Sequence, residues 1–232
     1  PRSTPLYSSA ASDVYKRQIL TTAIDRPDLH NQTLPPFFDI LKEQDINYKW
    51  FINLDSPFKK TEEAASNLKS FTGCTQDLHI SDKACFYSAA KHVISSAYNE
   101  LDNLNGYVIW LEDDWDLLIP FNMRELIDSG YEYIGFHFHH FFEFSFNPTM
   151  WSKDFFVKNV HEPFTASETS IDPEQLLINH HKKTRSEDSS HLKHVNRINF
   201  NGVFEDAGRK WGEQYNLKKW NKNKTGGSVS YD

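Results

Sequence analysis

The chain has 232 residues, 32 of them acidic and 25 basic, which gives a formal net charge of −7 at neutral pH. This length suits a single α/β domain with a substantial core, and an acidic chain lacks the basic surface that a nonspecific grip on nucleic acid requires. Two cysteines and no apolar run of roughly 20 residues argue against a disulfide framework and a membrane-spanning helix, so we expect a cytoplasmic protein without stable membrane insertion.

The first part of the chain predicts a leader, a strand and a helix. Residues 1–18 show neither helical nor strand periodicity and resemble translated adaptor sequence, so we expect a non-native or disordered leader before a domain over 19–232. The β-rich run 19–24 predicts the first strand, which ends where Pro27 fixes the backbone. The two prolines at the front of 34–44 predict the start of the first helix.

Strand and helix patterns then alternate. Residues 48–55 predict a second strand, and 59–71 predict the helix that follows it. The clearest helical stripe covers 81–101, with Ser81 or Asp82 as the N-cap. This alternation is typical of βαβ units and favours a mainly parallel sheet.

The second half of the chain continues the pattern less regularly. The apolar run 107–111 predicts a strand covered on both faces, and the aromatic-rich segment 131–144 predicts another extended segment. Residues 146–160 are typical of a turn that leads into a helix. Further helices are predicted around 172–180 and 206–219.

Three consecutive acids, Glu112, Asp113 and Asp114, directly follow the apolar run 107–111. Carboxylates this close repel one another and resist desolvation. In open α/β sheets, however, ligands bind beyond the carboxyl ends of the strands, where these acids would lie. A divalent cation that bridges to a diphosphate would neutralise them. The alternative interpretation is a helix N-terminus, whose dipole also favours acids.

An apolar strand that ends in residues 112–114 resembles the DXD-type motif of the GT-A glycosyltransferases, whose donor is a nucleotide-diphosphate sugar. Three further stretches lie in the order of that fold. Residues 21–30 resemble its first strand and nucleotide-binding loop, and 50–55 resemble its second strand. Residues 204–220 resemble a C-terminal segment of some small bacterial and viral members. The resemblance implies an α/β, Rossmann-like single domain in which helices flank a mainly parallel central sheet.

The resemblance also assigns residues to the donor site and implies Mn²⁺ or Mg²⁺ as the cofactor. The motif is Glu-Asp-Asp and not the commoner Asp-X-Asp, which leaves open which carboxylate contacts the metal. The implied nucleotide-binding positions are Thr22, Arg26, Asp55, Glu112 and Asp113, and the implied metal ligands are Asp114 and Glu112.

A carboxylate that deprotonates the acceptor hydroxyl is needed if the reaction inverts configuration. Glu174 is the first candidate and Asp172 the second, because an acid in the first turn of a helix can project into a cleft. Asp206 is the third. The same residues also fit an ordinary helix start, with Asp172 as the N-cap and Pro173 at the first helical position.

Several alternatives stay open at this point. The acceptor is a glycan, a lipid, a protein or a modified nucleobase. Two other functions also stay open. The chain could be a carbohydrate-binding protein that keeps a transferase-like fold without catalysis, or a haloacid-dehalogenase-like phosphatase with Asp114 as its nucleophile.

Histidines and tryptophans outside the acidic motif allow two interpretations each. His137 and His139 would share one face of a strand, where they contact metal or substrate or make structural hydrogen bonds. Trp115 and Trp151 fit either a sugar-stacking platform or core packing.

Overall fold

A computed structural model describes residues 17–71, 75–103, 106–136, 144–167, 172–184 and 195–215. Within these ranges the strands are β1 (Arg17–Ile24), β2 (Lys49–Asp55), β3 (Thr75–Ile80), β4 (Tyr107–Trp110), β5 (Trp115–Leu117), β6 (Tyr133–Gly135), β7 (Thr149–Ser152), β8 (Arg197–Asn199) and β9 (Phe204–Asp206). The helices are α1 (Pro27–Glu43), α2 (Thr61–Ser70), α3 (Phe86–Asn99), α4 (Met123–Asp128), α5 (Lys153–Phe156), α6 (Glu162–Ala166), α7 (Pro173–Thr184) and α8 (Ala207–Gln214). A π-helical turn, Val157–His161, joins α5 to α6.

The central sheet has seven strands in the order β3-β2-β1-β4-β7-β6-β8. Strand β7 runs antiparallel to both of its neighbours, and the other four pairings are parallel. Six of the seven strands therefore point the same way, which confirms the predicted mainly parallel α/β sheet flanked by helices. Strands β5 and β9 form a separate antiparallel pair.

The strand order reverses beside β1. From β1 the chain adds β2 and then β3 on one side, whereas β4 pairs with the other side of β1. A crevice forms where such a sheet changes direction, outside the carboxyl ends of the two strands. This topology places the residues after β1 and the residues after β4 next to each other.

Both faces of the sheet are covered, which explains the nearly continuous apolar runs of its central strands. One core cluster lies under α1 and α2 and includes Phe37, Trp50 and Ile109. The other lies under α3 and the helices that follow β7, and it includes Val93 and Trp110. Within the described ranges, no helix has the length and apolar character needed to cross a bilayer.

Helix α1 begins at Pro27, so the predicted start at the later prolines was wrong. Pro27 occupies the first turn, where its fixed φ suits a helix and its missing N–H is not needed. Pro35 and Pro36 lie inside the helix, where a proline costs about 3 kcal/mol. The carbonyls that they leave without a donor belong to Asn31 and Gln32, which are exposed to water. Burial of several large side chains, at about 1.5–3 kcal/mol each, outweighs that cost.

Helix α3 begins at Phe86, five residues after the predicted cap at Ser81. Ser81 instead continues the edge of the sheet, because its N–H donates to the Leu54 carbonyl at 3.0 Å and its hydroxyl bonds to Asn53. The strand before it, β3, has no counterpart in the sequence-based prediction.

The other boundaries also shifted. Strand β1 begins at Arg17 and thus includes two residues that were assigned to the leader. Residues 149–152, predicted as a turn entering a helix, form β7. The strand predicted over 131–144 is described only as the short β6, and His137 and His139 lie outside the described residues.

Candidate functional site

The acids 112–114 lie at the carboxyl end of β4, beside the end of β1. A turn at Asp113 and Asp114 leads directly into β5, which pairs with β9. The alternative that these acids begin a helix is therefore wrong. The chain instead reverses here and brings the acids against the first turn of α1.

Asp113 is the most deeply buried of the three acids, with 2% of its surface exposed. Its Oδ1 lies 2.9 Å from Arg26 Nη2, and its Oδ2 accepts the Ile24 N–H at 3.1 Å. The Nε2 atom of His30 lies 2.9 Å from the same Oδ2 and 2.8 Å from the Ile24 carbonyl oxygen. Because both of these neighbours are acceptors, Nε2 is the nitrogen that carries a proton. The Thr33 hydroxyl donates to the Asp113 carbonyl oxygen at 2.6 Å.

These contacts determine the charge of Asp113. Burial opposes its ionisation, but the Arg26 guanidinium and the hydrogen bond from His30 outweigh that effect and hold the pKa of Asp113 below its ordinary value. The chain therefore supplies its own counter-charge to this acid. The crowding at 112–114 is relieved in part by Arg26, before any cation binds.

Arg26 joins the end of β1 to the end of β4. It is 2% exposed, and its Nη2 lies 3.4 Å from Asp114 Oδ2 in addition to its contact with Asp113. On its other side the guanidinium carbon lies 5.5 Å from the centre of the Trp211 ring, within the range of a cation–π interaction. The predicted nucleotide-binding arginine is thus enclosed by two acids and an aromatic ring.

Asp114 is the more accessible aspartate, with 21% of its side chain exposed. Its carbonyl oxygen accepts N–H groups from Ala207 at 2.8 Å and Gly208 at 3.2 Å. A Cβ atom on Gly208 would lie 2.2 Å from Asp114 Oδ2, so only glycine fits beneath this carboxylate. Glu112 is half-buried and accepts the Trp115 indole N–H at 3.2 Å.

Thr22 and Asp55 lie on the α3 face of the sheet. In the pairing of β1 with β2, Thr22 lies opposite Asn53, and Ile24 lies opposite Asp55. The Asp55 carboxylate accepts the Asn53 amide at 2.9 Å and the Cys85 N–H at 3.0 Å. Burial raises the pKa of Asp55 above its ordinary value, and the charge of the buried aspartate after β4 adds to that shift. Asp55 therefore shares an electrostatic environment with the acids after β4.

A groove of about 810 Å³ lies beside Asp55, between the β2–α2 loop and the β3–α3 loop. Its wall carries the hydroxyl residues Ser56 and Ser81, and it bears charges of both signs, from Lys59, Lys60, Glu62, Glu63 and Asp82. The groove is open, and its lining is about equally polar and apolar.

Among the described residues, no three His, Cys, Asp or Glu side chains gather into a metal-binding group. Mg²⁺ commonly keeps several waters and binds through one or two carboxylates together with substrate phosphates. Asp114, which is partly exposed, fits that role, and Glu112 fits as a second carboxylate. Asp113 does not fit, because donors of this chain occupy both of its oxygens.

The candidate bases lie at helix starts, as the alternative interpretation predicted. Asp172 caps α7 through the N–H of Glu174 at 2.9 Å, and Asp206 caps α8 through the N–H of Arg209 at 2.9 Å. Burial raises the pKa of the Tyr133 phenol, and the nearby charge of Glu174 raises it further. Helix α7 belongs to the α3 face of the sheet, whereas Asp114 contacts α1 and α8.

Some important residues were missed by the sequence analysis. Asp25 is completely buried and accepts hydrogen bonds from Ser56, Phe58 and Lys60, so it holds the β2–α2 loop. His30 lies one helical turn after Arg26. That spacing is a usable signal only when the helix is known to begin at Pro27.

Aromatic side chains are also redistributed. Trp151 is fully buried and Trp115 is 6% exposed, so both are core residues and the sugar-stacking interpretation is wrong for them. The aromatic ring at the crevice is Trp211, which is half-buried. Its indole N–H donates to Asp28 at 2.8 Å, and its ring centre lies 5.6 Å from that of Phe58.

Comparison with known proteins gives a match at the level of structure. No family model and no curated protein matches the sequence. The mannosyltransferase PcManGT from Pyrobaculum calidifontis, solved in complex with GDP-Man and Mn²⁺, aligns with a TM-score of 0.50 and 11% identity over 81% of this chain and 55% of that one. The chain has a Rossmann-like, glycosyltransferase-type fold.

HddC from Yersinia pseudotuberculosis aligns with a TM-score of 0.47 and 11% identity, over 85% of this chain and 99% of that one. At such identities the likeness concerns the fold alone. The chain spans about half of the mannosyltransferase, so the activity of that enzyme does not transfer with the glycosyltransferase-type fold.

Proposed function

We propose that this chain is a metal-dependent glycosyltransferase that moves a sugar from a nucleotide-diphosphate donor to an acceptor hydroxyl. The observation that carries the proposal is the position of Asp114, a partly exposed carboxylate 3.4 Å from a buried arginine, at the crevice between β1 and β4. A nucleotide-diphosphate donor with a bound metal ion would place the positive ion beside Asp114 and its negative phosphates beside Arg26. The fold supports the same proposal.

Each residue of the site would have a separate role in the reaction. Asp114, with Glu112, would hold Mn²⁺ or Mg²⁺, which supplies Lewis-acid stabilisation of charge on the departing nucleoside diphosphate. Arg26 would place a fixed positive charge beside the same diphosphate. Asp113 would serve as the positioning residue that keeps Arg26 in place.

The nucleoside would lie toward β2 and β3. Thr22 and Asp55 lie on that side of the crevice, and the groove next to Asp55 has the size of a small-ligand site. Asp55 would accept a hydrogen bond from a ribose hydroxyl or from the base.

For the acceptor step we propose Glu174 as the base. Glu174 is the first candidate from the sequence, and the carboxylates of Asp172 and Asp206 accept backbone N–H groups at helix caps, where they stabilise the starts of α7 and α8. Replacing Glu174 with Gln should lower transfer to the acceptor more than it lowers donor binding, because a base acts in the chemical step.

The test is a screen of nucleotide sugars for Mn²⁺-dependent hydrolysis, repeated with Asp114→Asn. We expect a loss of roughly 100-fold or more, as for other groups that stabilise charge in the transition state, with an unchanged circular dichroism spectrum. Asp116→Asn is the matched control, because Asp116 is an aspartate two residues away that contacts Gln32. Full activity of Asp114→Asn would overturn the proposal.

Isothermal titration separates this proposal from the carbohydrate-binding alternative. Metal-dependent affinity for a nucleotide sugar supports a transferase. Tight binding of a free glycan by a chain that has no affinity for nucleotides would support a non-catalytic protein instead.

A further inference from the structure

Helix α8 lies over the two residues that the donor has to reach. The Trp211 ring stacks on the guanidinium of Arg26, which keeps only 2% of its surface exposed. The backbone of Gly208 lies directly against the carboxylate of Asp114. In this arrangement a diphosphate has no path to Arg26, although Arg26 is the buried cation at the crevice.

The first residues of α8, Ala207 and Gly208, donate backbone N–H groups to the Asp114 carbonyl, and the side-chain contacts that hold the rest of the helix lie at its surface end. Asp28, an exposed residue in the first turn of α1, accepts the Trp211 indole N–H at 2.8 Å and the Tyr215 hydroxyl at 3.3 Å, both at Oδ2. Water competes for an exposed carboxylate, so such hydrogen bonds contribute little to stability.

Helix α8 is also weakly anchored in the core. Its buried residues are Ala207 and Gly212, the two smallest amino acids. The segment before it is held more firmly, because β9 pairs with β5 in an antiparallel ladder and Phe204 is 2% exposed. Elements with few buried apolar contacts are the ones that open locally while the rest of a domain stays folded.

We propose that α8 is a strap that closes over the diphosphate-binding residues and that Asp28 is its latch. This inference rests on the proposed function. The strap opens by rotation about Asp206, which breaks the two backbone hydrogen bonds from Ala207 and Gly208 to Asp114, leaves the β5–β9 pair intact and exposes Arg26 and Asp114 together. The closed form protects a buried arginine and its acids until a donor competes for them.

The direct test is the reactivity of Arg26 toward p-hydroxyphenylglyoxal, an arginine-specific reagent, followed by mass spectrometry. Asp28→Ala removes the acceptor of both latch hydrogen bonds, and we expect it to raise the modification rate of Arg26 about fivefold, which corresponds to about 1 kcal/mol. Trp211→Phe keeps a ring over Arg26 but lacks the N–H donor, and it should give a smaller increase. Arg209, on the same helix with 70% of its side chain exposed, is the internal control and should react at one rate throughout.

A measurement on the unmodified chain guards against a variant that folds poorly. Amide exchange over α8 should be at least roughly 100-fold faster than over the buried half of α1, since strap opening needs no unfolding of the core. Equal protection of the two helices, or equal reactivity of Arg26 in all variants, would overturn the strap.

The failures of the two proposals are distinguishable. If Asp28→Ala unmasks Arg26 while no nucleotide sugar is hydrolysed by either protein, the strap stands and the transferase proposal fails. If nucleotide sugar is hydrolysed while Arg26 is equally reactive in every variant, the transferase stands and the strap fails. Where both hold, GDP or UDP with Mn²⁺ should associate about fivefold faster with Asp28→Ala, because more of the protein is open before binding.

Discussion

The guanidinium of Arg26 lies 2.9 Å from the carboxylate of Asp113, and less than 4% of either side chain is exposed. This ion pair joins the carboxyl end of β1 to the carboxyl end of β4. Of the two aspartates, Asp114 is therefore the one whose carboxylate is partly exposed. The crowded acids thus divide into one that organises the site and one that is available to a ligand.

The ion pair predicts a large loss of stability when one partner is removed. Asp113→Asn should lower the free energy of unfolding by about 3 kcal/mol, the lower end of the cost of breaking a buried ion pair, because it removes the nearer carboxylate beside buried Arg26 and leaves Asp114 at 3.4 Å. Adding Arg26→Met should recover part of the loss, with a coupling of roughly 1–3 kcal/mol. Urea unfolding of the two single variants and the double variant measures it. Strictly additive losses would show that the two charges do not depend on each other.

Replacing Gly208 with Ala should lower the stability of the protein, which is the opposite of the usual effect of this change in a helix. Ala is normally better than Gly in a helix by about 1 kcal/mol. Here the new Cβ would lie 2.2 Å from Asp114 Oδ2, so we expect Gly208→Ala to destabilise the protein by about 1–3 kcal/mol. It should also weaken binding of Mn²⁺ with GDP. Lys210→Ala, on the same helix with 67% of its side chain exposed, is the control, and a stabilised Gly208→Ala would contradict the packing.

Asp25 predicts a local effect on the β2–α2 loop. Its carboxylate accepts the Ser56 hydroxyl at 2.7 Å and the N–H groups of Phe58 and Lys60 at 3.0 and 2.6 Å. Asp25→Ala leaves these donors, which lie on half-buried or exposed residues, without their acceptor, and we expect the free energy of unfolding to fall by about 1–3 kcal/mol. Amide exchange over 56–60 should accelerate. Asp39→Ala, at an exposed position on α1, should change neither the stability nor the amide exchange over 56–60. Unchanged exchange in Asp25→Ala would contradict the role of Asp25 in holding the loop.

His92 predicts a dependence of stability on pH. Burial and the neighbouring His79 hold the pKa of His92 below its ordinary value of 6.5, so the folded protein resists protonation more than the unfolded chain does. Stability should therefore fall as the pH drops below about 6.5, where the unfolded state binds the extra proton.

His92→Phe keeps an aromatic ring against His79, whose ring centre lies 4.0 Å away, but cannot titrate. The unfolding temperature of this variant should vary less between pH 7 and pH 5 than that of the wild type. Comparison of the two proteins at pH 8 isolates the packing effect. Parallel pH profiles for the two proteins would contradict the prediction.

The order of strands and acids could be predicted from the sequence because both are local. Runs such as 107–111 are apolar on every residue, which only a strand covered on both faces explains. Asp55 and the acids 112–114 directly follow such runs, so a parallel sheet places them at the same edge.

The helix starts were harder to predict. Pro27 and the later prolines all carry the signal of a first helical turn, and the choice among them depends on which residues α1 buries against the sheet. Strand β3 was missed because a polar edge strand such as residues 75–80 gains its order from pairing with β2 and has no strong pattern of its own.

By itself the sequence determined the α/β class, the mainly parallel sheet and the presence of acids at the end of β4, since these depend on periodicity and chain order. Only the tertiary structure decided which acid is neutralised and which is exposed. The counter-charge of Asp113 comes from Arg26 and a further hydrogen bond from His30, both more than 80 residues away in the chain. Coulombic attraction depends on distance in space, and a linear pattern of residues does not contain that distance.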